Sequence, residues 1–314
     1  MTIFPNQVSS RISVVIPSHN RPDLLLKAVR SVFGQTVLPY ELIVVDDGSE
    51  LPVTDDIFAS APPGLKTRLF RHSTARGAPA ARNLGIQRAE AEWIAFLDDD
   101  DRFMPRKIEI VTKIINENSS LDVIYHPAEI VMIKEGIRYY SRPGILHGQD
   151  NFDKLLLKNE IGSTSLVVVR KDALMCAGLF DVQLPALQDH DLWLRLARSN
   201  ARFHLINEPL TQYSYNTSSK SITSSVENRE SAVRIIEEKF ATEYSTLSPD
   251  KKKQYVERNL RAIVFKALLN KQIGLAFRQQ YKVLKHTRCL KDLILLVFIP
   301  FGPRLIFRLR SIIS

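Results

Sequence analysis

Four aspartates stand in a row, Asp98, Asp99, Asp100 and Asp101, directly after the apolar run at 93–97. Adjacent carboxylates repel one another, so a chain that gathers them at the end of a buried strand needs a compensating cation. One reading is a solvated acidic loop capping a helix that begins near Pro105. The other is a hard-cation site. Mg2+ and Mn2+ take oxygen ligands, commonly one or two carboxylates plus substrate phosphates.

Two more acidic groups carry a similar choice. "VVDDGS" (44–49) is good turn chemistry. A carboxylate there also accepts hydrogen bonds from the N–H and hydroxyl groups that a nucleobase and ribose present. Asp189 and Asp191 fall at or before the start of the amphipathic stretch "LQDHDLWLRLARSN" (187–200). They read either as a helix cap with an acidic first turn or as a general base offered at a helix start. His190, between two acids, reads as a surface or supporting residue.

Strands and helices must position these groups. "ISVVIPS" (12–18) is a β-branched run with the pattern of a buried strand. A helix follows, with Asn20 as N-cap, Pro22 in the first turn and Gly34 as its stop. Leu25, Ala28, Val29, Val32 and Phe33 form its apolar face. Strand patterns at 40–49, 67–72 and 92–97 and a helix pattern at 78–91 continue the alternation. This predicts an α/β fold with a mainly parallel sheet. Ligands bind beyond the carboxyl ends of such strands, so the loops after 18, 46 and 97 should converge.

Beyond residue 120 the pattern becomes mixed, with strands expected in 121–133 and 138–148 and a strand then a helix in 164–181, ended by Gly178. From Glu227 onward it is helical, interrupted by the turn cluster "STLSPD" (245–250). The expected division is 1–225 for the α/β domain, 226–290 for a helical region and 291–314 for an amphipathic tail.

Charge is distributed unevenly. The chain carries a net charge of +9, but residues 251–314 hold fifteen Lys or Arg against two acids, so the remainder is mildly acidic. The two cysteines, Cys176 and Cys289, form neither a disulfide framework nor a zinc site, which predicts a reducing, cytoplasmic setting. The first residues have no basic segment ahead of a long apolar run, so no secretory signal is expected.

The order "VVIPSHNRP", "ELIVVDDGS", "GAPAARNLGI", "WIAFLDDDD", "GLFD" and "QDHDLWLRLA" resembles glycosyltransferase family 2, over roughly residues 10–215. The resemblance implies a GT-A fold (Rossmann-like, a mainly parallel sheet flanked by helices) here followed by a C-terminal helical extension. It implies a nucleotide-sugar donor, with UDP as the favoured carrier, and Mn2+ or Mg2+. Pro17, His19 and Asn20 would lie in the first nucleotide-facing loop. Asp47, with Asp46 beside it, would read the base. Arg82 and Asn83 would line the diphosphate side. Asp98 and Asp100 would hold the metal, with Asp98 or Asp99 touching donor hydroxyls.

Asp189 would be the catalytic base, with Gln188 where the family usually has Glu. Trp193 and Arg195 would follow it on the same helix. "IGSTSLVVV" (161–169) would form the acceptor-side loop and the strand behind it. The implied reaction is inverting transfer of a hexosyl-type unit to a hydroxyl of a glycan or lipid-linked glycan, in bacterial surface polysaccharide or lipopolysaccharide synthesis.

The apolar stretch from Leu293 to Pro303 is 11 residues long and broken by prolines. A bilayer span needs about 20. Leu305, Ile306, Leu309, Ile312 and Ile313 share one face of a helix, opposite Arg304, Arg308 and Ser311. This predicts peripheral attachment of 291–314 to an anionic membrane, on the inner face of the cell membrane. Packing on the body or a dimer contact is the alternative. The tail's apolar content and few aromatic residues speak against a nucleic-acid partner. A nucleotidyltransferase would carry a Gly-rich basic loop after the first strand, which "PSHNRPD" is not. A catalytically impaired scaffold is the other alternative, set against intact Asp47, Asp98, Asp100 and Asp189.

Overall fold

A computed structural model describes residues 11–132, 136–215, 226–301 and 305–306. They form two compact units. The first holds the chain through Leu155, Asn159–Val182 and Gln188–Tyr215; the second holds Leu156–Lys158, Gln183–Leu187 and the chain from Asn216.

In the first unit the strands are β1 (Ile12–Ser18), β2 (Glu41–Asp46), β3 (Lys66–Arg71), β4 (Trp93–Phe96), β5 (Arg102–Phe103), β6 (Val123–Tyr125), β7 (Ala128–Met132), β8 (Ile137–Tyr140), β9 (Val167–Arg170), β10 (Phe203–Leu205) and β11 (Thr211–Tyr215). Its helices are α1 (Pro22–Phe33), α2 (Ala78–Arg88), α3 (Lys107–Glu117), α4 (Asn151–Leu157, whose last two residues belong to the second unit), α5 (Lys171–Cys176) and α6 (Gln188–Arg198).

The main sheet has the order β10-β6-β9-β4-β1-β2-β3. All of its strand pairs are parallel except those of β9, which runs against β4 and β6. A second sheet, β5-β11-β7-β8, lies beside it in sequence order and is mixed. The expected α/β architecture with a mainly parallel main sheet is therefore present.

β1 is buried at every position because helices cover both faces of the sheet. Side chains alternate along the strand. Ile12, Val14 and Ile16 join one core with Leu25, Val29 and Val32 of α1 and Ile108 and Val111 of α3. Each such fully buried side chain contributes about 1.5–3 kcal/mol. Val15 points the other way, to α2. A Cβ at Gly85 of α2 would sit 2.3 Å from Val15 Cγ1, so the glycine sets how closely that helix approaches the strand.

Two local expectations need correction. Asn20 does not cap α1. It adopts a left-handed backbone (φ 54°), Arg21 occupies the cap position, and the Asn20 carboxamide serves another loop. Only 138–140 of the predicted 138–148 strand region is strand. The turn cluster at 245–250 interrupts the helical region as expected, Ser245 and Thr246 closing one helix and Ser248 capping the next by accepting from the Lys251 amide.

In the second unit, α7 (Val226–Lys239), α8 (Ala241–Thr246), α9 (Pro249–Leu269), α10 (Ile273–Thr287) and α11 (Leu290–Phe298) follow one another. Asp292 at the start of α11 is buried and receives two bonds from Arg261 of α9, at 2.5 and 2.8 Å. Thr287 and Gln280 of α10 also donate to it. The predicted tail face at Leu309, Ile312 and Ile313 lies outside the described residues. Among the described residues, no helix is long and apolar enough to cross a membrane.

Candidate active site

β2, β1 and β4 are adjacent and parallel, so their carboxyl ends bring three loops to one edge. The first two are stitched together. The Asn20 amide donates to the Ser49 hydroxyl at 2.9 Å, and the Glu50 amide donates to Asn20 Oδ1 at 2.8 Å. His19 donates from Nδ1 to the Asp47 carbonyl at 2.8 Å and leaves its ring exposed. Pro17 stays in the strand, opposite Val45.

Asp46 and Asp47 divide their work. Asp46 is sealed inside, where the Ser49 and Val53 amides donate to it and Arg71 pairs with it. Burial opposes its ionised form, but these bonds outweigh burial and hold its pKa below the usual value. Asp47 accepts from His72 Nδ1 at 2.7 Å and from the amides of Arg76 and Gly77 at 3.0 and 2.7 Å. Gly48 between loop and strand end is obligatory. Its φ is +69°, and a Cβ there would meet the Ala75 amide nitrogen at 2.5 Å.

The acid quartet alternates. The Asp101 amide donates to the Asp98 carbonyl at 3.0 Å, closing a turn. Asp99 and Asp101 point inward, whereas Asp98 and Asp100 keep 24% and 31% of their side chains exposed. Asp99 accepts from the Ser18 hydroxyl at 2.8 Å and from Arg21 at 3.2 Å, tying the quartet to β1. Asp101 accepts from the Ser214 amide at 3.0 Å, tying it to β11. Burial, and then the charges of Asp100 and Asp98, push the Asp101 carboxyl well above its usual range.

Asp98 pairs with Arg82 and receives the Thr164 hydroxyl at 3.3 Å. Asp100 is bonded to Arg21 at 3.2 Å. Burial, with the charges of Asp98 and Asp99, raises Asp100 to about 6. Two arginines, Arg21 and Arg82, thus supply cationic compensation from within the chain.

The outward pair also fits Mg2+ or Mn2+. It offers two hard carboxylates whose mutual repulsion a cation would relieve. Among the described residues no three acidic, His or Cys side chains form a ready-made cage. Two carboxylates with remaining positions left to phosphate oxygens is the usual arrangement for such an ion. Asp99, turned to Ser18, has no part in it.

Asn83 works as a clamp. It donates to the Phe180 carbonyl at 2.8 Å and accepts from the Phe180 amide at 2.9 Å, fixing the "GLFD" segment. Phe180 in turn stacks edge-on against Phe96, 5.4 Å away, and lies under the Arg82 guanidinium.

At the start of α6 the two acids separate cleanly. Asp191 is buried and paired with Arg195 at 2.7 Å, and the same arginine bonds the Ala177 carbonyl. His190 donates from Nε2 to the Leu155 carbonyl at 2.7 Å, a supporting role. Asp189 is half-buried. Its own helix donates the His190 amide to Oδ1 at 2.8 Å, and Asn159 reaches Oδ2 at 3.5 Å. Burial raises its pKa; Arg82 pulls it down and Asp98 pushes it up, so all three groups share one field.

A strap at 159–166 joins the two halves. Besides Asn159, Gly162 accepts from Trp193 Nε1 at 3.3 Å, and Thr164 and Ser165 hold Asp98. The Ser165 carbonyl accepts from Lys107 at 2.8 Å and from the Thr211 hydroxyl at 3.0 Å. Ser18, Arg21, His72, Lys107 and Ser165 escape sequence reasoning as site residues. One signal is available for Lys107, because a lysine in the first turn opposes the helix dipole.

Known proteins resemble this chain in sequence and in fold. A Haemophilus influenzae uncharacterised glycosyltransferase is 29% identical over 303 residues, 96% of this chain and 99% of its own. Escherichia coli WfgD, a UDP-Glc:alpha-D-GlcNAc-diphosphoundecaprenol beta-1,3-glucosyltransferase, is 27% identical over 213 residues, 68% of this chain and 79% of its own. Among solved structures, S. aureus TarS superposes with a TM-score of 0.56 at 19% identity, covering 92% of this chain and 52% of TarS. Its 1–349 fragment in complex with UDP-GlcNAc gives 0.54 at 15% identity, over 88% of this chain and 91% of the fragment. These two share the GT-A fold. The model of glycosyl transferase family 2 matches residues 13–178, more than half of the chain, and the protein therefore belongs to that family of glycosyltransferases.

Proposed function

We propose that the protein transfers a sugar from a UDP-sugar to a hydroxyl of a lipid-linked glycan, with inversion at the anomeric carbon. The observation that carries the reading is Asp189. It is a half-buried carboxylate at a helix start, with no Lys or Arg ion pair among the described residues, in the combined field of His190, Arg82 and Asp98. Asp191, two residues on, is spent on Arg195.

Asp189 takes the proton from the acceptor hydroxyl as that oxygen attacks. Asn159 and the His190 amide hold the carboxylate in place. Arg82 and Arg21, at the edge of the quartet, bring positive charge to the side where negative charge grows on the leaving group. His19, exposed and fixed to the Asp47 loop, borders the base side. Asp98 and Asp100 would hold Mg2+ or Mn2+, which when bound neutralises charge on the nucleoside diphosphate. A single base and a direct displacement give inversion. The UDP donor rests on the UDP-GlcNAc complex of TarS and on WfgD, and the lipid-linked acceptor rests on WfgD.

The test is Asp189→Asn with UDP-sugars and a prenyl-diphosphate-linked acceptor. Transfer should fall by about 10²–10⁴-fold. Calorimetric binding of the UDP-sugar should persist. Near-normal turnover in that variant removes Asp189 as the base.

A further inference from the structure

α11, with the helical turn that follows it (Ile299–Phe301), is apolar on two sides. Leu295, Leu296 and Ile299 are buried, as is Asp292 through its bonds to Arg261. The opposite side carries Leu290, Leu293, Val297 and Phe301, which remain 70%, 44%, 55% and 70% exposed. Their spacing of three or four residues keeps them on one stripe about a turn wide. α10 adds Phe277 and Tyr281, one turn apart and both exposed. An outward apolar stripe of this kind, on a helix already packed by its other side, marks an interaction surface.

The charge around it has one sign. Residues 271–291 hold six Lys or Arg and no acid. All six are exposed, and Lys285 lies over the Tyr281 ring at 4.9 Å. The first acid beyond them, Asp292, is buried and paired. Apolar side chains bordered by exposed cations match a surface that is apolar below and anionic above, and α11 is too short to cross such a layer.

We propose that the stripe of α11, with the basic face of α10, is a docking surface for an anionic lipid bilayer, with α11 lying in the interface plane. The surface is independent of the reaction assigned above. It assigns the attachment expected of 291–314 to one described face, that of Leu290–Phe301.

The test is co-sedimentation of the full chain with vesicles of phosphatidylcholine alone and of phosphatidylcholine mixed with phosphatidylglycerol. Binding to the mixed vesicles should be about tenfold or more stronger and should weaken with added salt. A triple variant, Leu293→Gln, Val297→Gln and Phe301→Gln, should lose about tenfold or more of that binding. Lys282→Glu with Lys285→Glu should abolish the preference for the anionic lipid. Turnover on a soluble acceptor analogue should stay unchanged in both, which separates this surface from the active site. Unchanged vesicle binding by the triple variant overturns the proposal. So does a wild-type dimer that the triple variant converts to monomer without vesicle binding, since the stripe is then an interface between copies.

Discussion

Lys107 donates to the Ser165 carbonyl at 2.8 Å, and neither side chain is exposed. The ammonium also reaches Thr211 at 3.2 Å and lies 3.8 Å from the centre of the Phe103 ring. Burial lowers its pKa well below the usual lysine value, and Asp101 opposes that shift. Ser165 receives the Asp98 amide on its hydroxyl, so the buried lysine stands one residue removed from an outward acid.

Lys107→Met keeps the volume and removes the donor. Stability should drop by about 1–3 kcal/mol, the cost of leaving buried polar partners without their donor. If the lysine also positions Asp98, kcat should fall about 10–100-fold, as small displacements of reacting groups do. Thermal melting and steady-state kinetics on one preparation separate the two, and undiminished kcat would confine Lys107 to folding.

The alternation of the quartet predicts opposite phenotypes for neighbours. Asp99→Ala strips the buried Ser18 hydroxyl of its acceptor and should cost about 1–3 kcal/mol. Asp100 is partly exposed, and its removal trades the bond to Arg21 for relief from the charges of Asp98 and Asp99, so Asp100→Ala should change stability by less than about 0.5 kcal/mol. The same change should weaken UDP-sugar binding and blunt its sensitivity to a chelator. Equal melting temperatures for the two variants would contradict the inward and outward assignment.

Transfer should show an acidic limb set by Asp189. The base acts ionised, and burial together with Asp98 raises its pKa. Activity is therefore lost as pH falls through a value above about 3.9, the ordinary aspartate figure. Asn159 donates to the ionised form, so Asn159→Ala should move the limb to higher pH. A kcat/KM profile for the two proteins decides it; identical limbs would leave Asn159 no role at the base.

The helical unit should be acid-sensitive at one bond. Asp292 is buried, yet Arg261, Thr287 and Gln280 hold its pKa below the ordinary value. A depressed carboxylate stabilises above its unfolded pKa, and that contribution vanishes as pH falls through the folded one. Arg261→Ala leaves the carboxylate buried and unpaired. The cost should be about 3 kcal/mol, the low end for a broken buried pair, because Arg261 is itself 36% exposed. Denaturant melts at pH 7 and pH 3 should differ less for the variant than for the wild type.

The α/β frame was legible because β1, β2 and β4 are short apolar runs, each followed by a polar loop, and this sheet is covered on both faces. The quartet was legible as a cluster but not in its parts. Four identical letters do not reveal which carboxylates a turn sends inward, and Ser18 and Ser214, which hold the inward pair, are 81 and 113 residues from them. Asn20 misled for a related reason. It has the chemistry of a cap, but a left-handed backbone aims it at Glu50 in the next loop. Asp189 and Asp191 look interchangeable in sequence until the helix turns one of them onto Arg195.

The strap at 159–166 bears on how such enzymes diversify. Its Asn159 and Gly162 serve the base-bearing helix, while Thr164 and Ser165 serve Asp98. A relative's loop spliced in here would import its own hold on the acids at the other end. A spliced loop without hydroxyls at 164 and 165 would release Asp98 even where it still holds α6, so the two ends of the strap change together.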